Sequence, residues 1–150
     1  MNLNYKKIAI AFLKEAYQDF EAVDILIEHE VFNLSIYHAQ QAVEKLLKSC
    51  LAIEGEVGIF KHEIFPYFKR VFESKLDQNS LDKLEECVSV LEEEWAKPRY
   101  PGWDEIDDTV WTPSEAYTKE DALDRKKRMK KVFEILIEML KSHYEIEIPQ

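Results

Sequence analysis

"SIYHAQQAVEKLLKSCLAIEG", residues 35–55, decides how the rest of the chain is read. Its apolar residues Ile36, Ala39, Val43, Leu46, Leu47 and Cys50 recur at spacings that, at about 100° per residue, put them on one broad face of an α-helix. Tyr37, Gln41, Glu44 and Lys48 fall on a narrow stripe at the edge of that face, roughly 60° wide by the same geometry. His38 and Lys45 lie further round. Gly55 marks the end of the helix, and Asn33 or Ser35 is placed to cap its start. In the plain account the stripe is the wet side of a bundle helix, with Glu44 and Lys48 an i,i+4 pair worth about 0.2–0.5 kcal/mol. It gains a second meaning if distant pieces of the chain converge on it.

Upstream, residues 4–30 predict a long amphipathic helix. Ile8, Phe12, Ala16, Phe20, Val23 and Ile27 form its inner row, and Lys14, Glu15, Asp19 and Glu21 lie between them. Downstream, "GEVGIFKH" reads as a loop, and a third helix covers roughly residues 63–75. Its regular part begins near Phe65, because Pro66 is tolerated only in a first turn. "DQNS" caps a fourth helix whose seam is Leu81, Leu84, Val88, Leu91 and Trp95. Residues 95–117 hold all three tryptophans, three of the five prolines and the run "DEIDD", with no helical period. They read as one long loop, of a length that is usually functional or ordered by what it packs on. Thr118, with Asp121 as capping-box partner, starts a last helix running to about residue 142, with Leu123, Val132, Phe133, Leu136 and Leu140 inside. The tail "YEIEIPQ" alternates apolar and charged residues and suits a short extended segment. Strand signals are otherwise nearly absent. The expected fold is all-α, a single domain over residues 1–150, built as an antiparallel up-down bundle of about five helices with a long Trp/Pro-containing loop before the last.

With 30 acidic against 20 basic residues the formal net charge is -10, which repels phosphate on average and excludes non-specific nucleic-acid binding through the mean field. Six of the basic residues are concentrated in "RKKRMKK", residues 125–131, either a solvated helix face or a positive ridge. Cys50 and Cys87 fall on apolar-periodic segments without a CxxC neighbour and read as buried thiols. His29, His38, His62 and His143 lie at no ligand spacing, so no metal is expected, and no cofactor motif occurs. No stretch approaches a membrane span or a signal-peptide core, so a cytoplasmic protein is expected.

Two segments could reach the α-helical stripe: His62, just before the third helix, and "KPRYPG", residues 97–102. In the latter, two prolines pre-set the backbone around Arg99 and Tyr100. A fixed guanidinium fork beside an aromatic ring suits a phosphate or a base edge; a stiff loop carrying a surface arginine is the plain alternative.

"YHAQQAVEKLLK", followed by "KHEI" and then by "PRYP" ahead of a Trp-containing acidic loop and a final helix, resembles a HEPN domain over essentially the whole chain. The resemblance implies an up-down bundle that usually forms a homodimer, with a polar cleft near the second helix and the Arg-Tyr loop. It also implies a minimal nucleotidyltransferase as protein partner, in a toxin-antitoxin-type pair. Carried over residue by residue, the implied nucleotide- or RNA-phosphate-binding positions are Gln41, Glu44, Lys45, Lys48, His62, Arg99 and Tyr100, with Tyr37 on the same stripe. HEPN ribonucleases carry an Arg, four to six residues, then a His. No His follows Arg70, Arg99, Arg125 or Arg128 at that spacing, and Asp104, Glu105 and Ile106 stand there after Arg99. A carboxylate at that place repels the scissile phosphate. The leading expectation is therefore a binding module with no catalytic residue assigned. The alternatives are a divergent endoribonuclease using His62 or His38 with Arg99, and a dimeric scaffold with an apolar patch around Trp103 and Trp111.

Overall fold

The computed structural model describes residues 3–59, 61 and 64–149. Six helices and one small sheet follow in the order α1 (Leu3–Glu28), α2 (Phe32–Ile53), α3 (Phe65–Phe72), α4 (Gln78–Glu92), β1 (Gly102–Asp104), β2 (Thr109–Trp111), α5 (Pro113–Ala116) and α6 (Lys119–His143). The long helices run up, down, up, down in the order α1, α2, α4, α6, with α2 in the middle against α1 and α6, and α6 also against α4. The short α3 leans on α2 and α4.

The helix ends follow local chemistry. After α2, Gly55 takes φ +83° and its N–H donates to the Ala52 carbonyl, while Glu56 donates to Leu51. That is a Schellman closure, which needs the left-handed backbone glycine adopts freely. Asp77 caps α4 by accepting from the Ser80 N–H, and Thr118 and Asp121 make a full capping box on α6. Pro66 stands in the first turn of α3. The N–H groups of Ile64 and Phe65 there both donate to the Glu92 carboxylate of α4, a negative charge at the positive end of a helix.

The core pairs small with large side chains. Ala9, Ala16, Ala39 and Ala42 let α1 and α2 approach closely enough for the Ser49 hydroxyl to donate to the Ala9 carbonyl at 2.7 Å. Leu46, Leu47, Leu51, Leu136 and Phe68 are fully buried around them, and Phe68 stacks on Phe72 at 4.7 Å. Cys50 and Cys87 are free and buried.

Several expectations are corrected. Leu123, read as lying inside with the apolar row of the last helix, is exposed. Neither Asn33 nor Ser35 caps α2: the helix starts earlier, at Phe32, with Val31 as an N-cap that makes no side-chain bond. Both polar side chains are used for tertiary bonds instead, Ser35 Oγ to the Val23 carbonyl and Asn33 Nδ2 to the Pro98 carbonyl, each 3.0 Å. Asp19, read as lying between the inner residues of α1, is buried against α2. Trp95 lies beyond the end of α4 and is exposed, so the seam stops at Leu91. Residues 95–117 are not one loop but contain a β-hairpin and the single-turn α5, which raises the helix number from five to six among the described residues. Gly102 pairs with Trp111 across the hairpin. The Trp111 indole packs closely against Gly102, where a Cβ would collide with the ring. The tail makes no strand; Ile146 and Ile148 pack onto the core and the Tyr144 hydroxyl donates to Glu54.

Candidate functional site

Fourteen of the 22 residues of α2 are buried, so the helix meets water only along a narrow polar strip. Tyr37, Gln41 and Lys48 are half-buried on it, and Glu44 is buried beneath them. The polar groups bind one another: Gln41 Nε2 donates to Gln40 Oε1 at 2.7 Å, Gln40 Nε2 donates to Glu44 Oε1 at 3.4 Å, and Lys48 Nζ stands 3.6 Å from Glu44 Oε2.

The Arg-Tyr loop arrives at the N-terminal end of this strip. The Asn33 amide holds the Pro98 carbonyl, which fixes the loop over α2. The Arg99 guanidinium then lies 4.7 Å from the Tyr37 ring and 5.0 Å from the Tyr100 ring, between the two aromatics. Its Nε and Nη2 donate to the Trp95 carbonyl at 3.0 and 2.7 Å, so the fork is held in one orientation. Tyr100 is exposed. Lys97 reaches the other way, 5.7 Å from the Trp111 ring and 5.8 Å from the Tyr117 ring, and anchors the hairpin to the bundle.

On the α1 side the strip carries a different cluster. Asp19 receives the His38 Nδ1–H at 2.7 Å on one carboxylate oxygen and Lys45 Nζ at 2.6 Å on the other. Burial pushes the Asp19 carboxyl up, but the bonds to His38 and Lys45 outweigh it and hold it below its ordinary value. His38 packs edge-on to Tyr37 at 5.2 Å. The imidazole and the Arg99 guanidinium thus flank the same ring and are under about 10 Å apart.

Tyr37, Arg99 and Tyr100 are therefore brought together. Gln41, Glu44 and Lys48 continue from them along α2, with Lys48 eleven residues from Tyr37, about 16 Å of helix. Lys45 is paired with Asp19. His62 lies outside the described residues. The sequence reading passed over Asp19 and Gln40. Asp19 had a signal, standing three residues after Ala16 and four before Val23 on the inner row; Gln40 had none beyond its neighbours.

The basic run of α6 is mostly an internal brace. Arg125 binds Glu94 and Asp124 at 2.9 and 2.7 Å, Arg128 binds Asp124 at 2.9 Å, and Lys126 pairs with Asp24 of α1. Glu94 is buried and also accepts the Tyr117 hydroxyl at 2.5 Å. No group of three or more metal-ligating side chains occurs among the described residues. No helix among them is long and apolar enough to cross a membrane.

The HEPN domain profile matches residues 9–140, which takes in α2, the Arg-Tyr loop and most of α6. The chain belongs to the HEPN family. This HEPN protein is 34% identical over 147 residues to "Putative toxin MJ1304" of Methanocaldococcus jannaschii, covering 95% of this chain and 93% of that one. A solved crystal structure, that of TT1696 from Thermus thermophilus, has the same fold with a TM-score of 0.72. It is 20% identical and covers 88% of the HEPN chain and 98% of its own. The helical bundle expected from the sequence is thus the fold of this HEPN protein, with a two-stranded hairpin added.

Proposed function

We propose that this HEPN protein is the toxin-type member of a toxin-antitoxin pair and works as a binding module, holding a nucleotide or nucleic-acid phosphate along the polar strip of α2, with a minimal nucleotidyltransferase as protein partner. One observation carries the reading: the Arg99 guanidinium is fixed over Tyr37, beside the exposed ring of Tyr100, at the head of a strip that ends in Lys48. Arg99 and Lys48 supply the positive charge and Tyr100 a ring for stacking, worth about 1–3 kcal/mol per base. The roughly 16 Å of helix between the two ends favours a ligand longer than one phosphate group. The likeness to a relative named as a toxin supports the biological setting. Calorimetric titration with ATP and with a short single-stranded RNA tests it. Arg99→Ala and Lys48→Ala should each weaken binding several-fold, and wild type and variants equally blind to both ligands remove the proposal.

The Asp19–His38 pair favours a second reading, a divergent endoribonuclease. Asp19 orients the imidazole through Nδ1 and leaves Nε2 as the proton-transferring atom, within about 10 Å of Arg99. RNA cleavage by the purified protein that disappears in His38→Ala supports it; uncleaved RNA removes it.

A further inference from the structure

Bracing the bundle does not use up the basic run of α6. Between α4 and α6 an open groove of about 700 Å³ is lined by six basic and three acidic side chains, with Cys87 and Leu123 as its apolar residues. Each of the three carboxylates has a cation of its own chain beside it. Asp124 takes Arg128 at 2.9 Å, Glu86 stands 3.8 Å from Arg128, and Glu134 stands 3.7 Å from Lys131. Lys126 turns out of the groove's own charges to pair with Asp24 of α1. Lys83, Lys127 and Lys130 are exposed and form no ion pair within 4 Å among the described residues. The groove therefore keeps a positive excess that nothing in its own lining cancels.

The pattern along α6 is ordered. Leu123, Lys127, Lys130 and Glu134 follow at spacings of four, three and four, so they share one stripe of the helix. Eleven residues of helix make that stripe about 16 Å long, the length of three helical turns. At its head Leu123 is 44% exposed, although Ala122 before it is buried. An exposed leucine in a concave surface walled by lysines gains from a guest only if the guest brings apolar groups as well as negative charge.

We infer that the α4/α6 groove is a docking site for an acidic amphipathic helix of a partner protein, about three turns long. The apolar row of that helix covers Leu123 and Cys87, and its carboxylates meet Lys83, Lys127 and Lys130. A helix laid into the furrow between two helices is an established mode of peptide recognition, read by apolar anchors at i, i+3, i+4 and i+7. A nucleic-acid backbone would meet the same lysines, but no aromatic side chain lines the groove to stack a base, and phosphates would leave Leu123 uncovered. The formal charge of -10 repels an acidic guest from the rest of the surface, which confines docking to the groove. None of Tyr37, Arg99 and Lys48 lines it, so the inference stands apart from ligand binding on α2.

Fluorescence anisotropy on the full chain tests it with a labelled synthetic peptide of about 14 residues, Leu at i, i+3, i+4 and i+7 and Glu elsewhere, held helical by a lactam bridge on its outer face. The peptide should bind, and more weakly as salt screens the charges. A scrambled peptide of the same composition and an oligoglutamate should each bind about tenfold more weakly, because neither presents an apolar row. Lys127→Glu with Lys130→Glu should weaken the amphipathic peptide about tenfold while helical circular dichroism is unchanged. Leu123→Ser should weaken it several-fold with no change of charge. A short single-stranded RNA should not displace it. No binding of the amphipathic peptide, equal binding of the scrambled or oligoglutamate peptide, unchanged affinity in the variants, or displacement by RNA each overturns the inference. ATP binding by the Lys127→Glu, Lys130→Glu protein reports on the α2 strip separately.

Discussion

Replacing Asp19 by Asn keeps the shape of the side chain and removes its charge, and the consequence follows from three distances. The carboxylate is buried and receives His38 at 2.7 Å and Lys45 at 2.6 Å. Hydrogen bonds to charged groups contribute about 1.5–3 kcal/mol each. Lys45 and His38 keep 29% and 32% of their side-chain surface in water, so both recover hydration when the charge is gone. The loss should therefore fall below the sum of the two, at about 2 kcal/mol in total. For a chain of this size that is a fall in Tm of about 4–8 °C at pH 7. Because Asp19 titrates below its ordinary value of 3.8 when folded, its contribution is complete above the ordinary carboxylate range and is lost as pH falls through the lowered folded value. The wild type and Asp19→Asn should thus converge in acid. Urea unfolding followed by circular dichroism from pH 7 downward measures the gap. Equal stability at pH 7, or a gap that stays constant or widens toward acid, would refute the assignment of Asp19 as the charged link between α1 and α2.

Gly102→Ala should push the Trp111 indole off the hairpin, changing near-ultraviolet circular dichroism and tryptophan emission while the helical signal stays; an unchanged aromatic spectrum refutes the close approach. Lys45→Ala and Lys48→Ala should behave oppositely. The first breaks a 2.6 Å pair to a buried carboxylate and lowers Tm by several degrees with nucleotide binding intact; the second gives up a 3.6 Å pair, leaves Tm within about 1 °C, and weakens binding. Equal thermal effects in a melt of the two variants would sink that distinction.

Much of the bundle was legible because helix ends and apolar periods are local. Gly55, Asp77 and the Thr118–Asp121 box act on backbone groups within a few residues, and the inner rows of α2 and α4 repeat often enough to be seen. The hairpin was hidden because its strands are three residues each, too short for an alternation to register, and because Trp111 is accommodated by a glycine nine residues away. Asn33 and Ser35 were misread as caps for a related reason. A cap residue is recognised by type, and those same side chains serve equally well for distant carbonyls once the helix has begun. Asp19 belongs with them: its place on the inner row of α1 was visible, but a buried carboxylate is credible only when its hydrogen-bond donors, nineteen and twenty-six residues on, are known to meet it.

The polar strip of α2 is the case in which sequence and structure must be weighed together. Seen as a pattern, Tyr37, Gln41, Glu44 and Lys48 are equally good members of one site. Their bonds rank them. Gln40, Gln41 and Glu44 satisfy each other inside a helix that is buried on its other sides, so the strip is stable with no ligand present and its carboxylate is not waiting for one. Lys45 is committed to Asp19. Two cations remain that a ligand could redirect at small cost, Lys48, held at a long 3.6 Å, and Arg99, held through a neutral carbonyl and two ring faces. They stand at opposite ends of the strip. Under the proposed binding function, an extended anion lying along α2 would engage both, whereas a compact phosphate could engage only one end and would gain little over water.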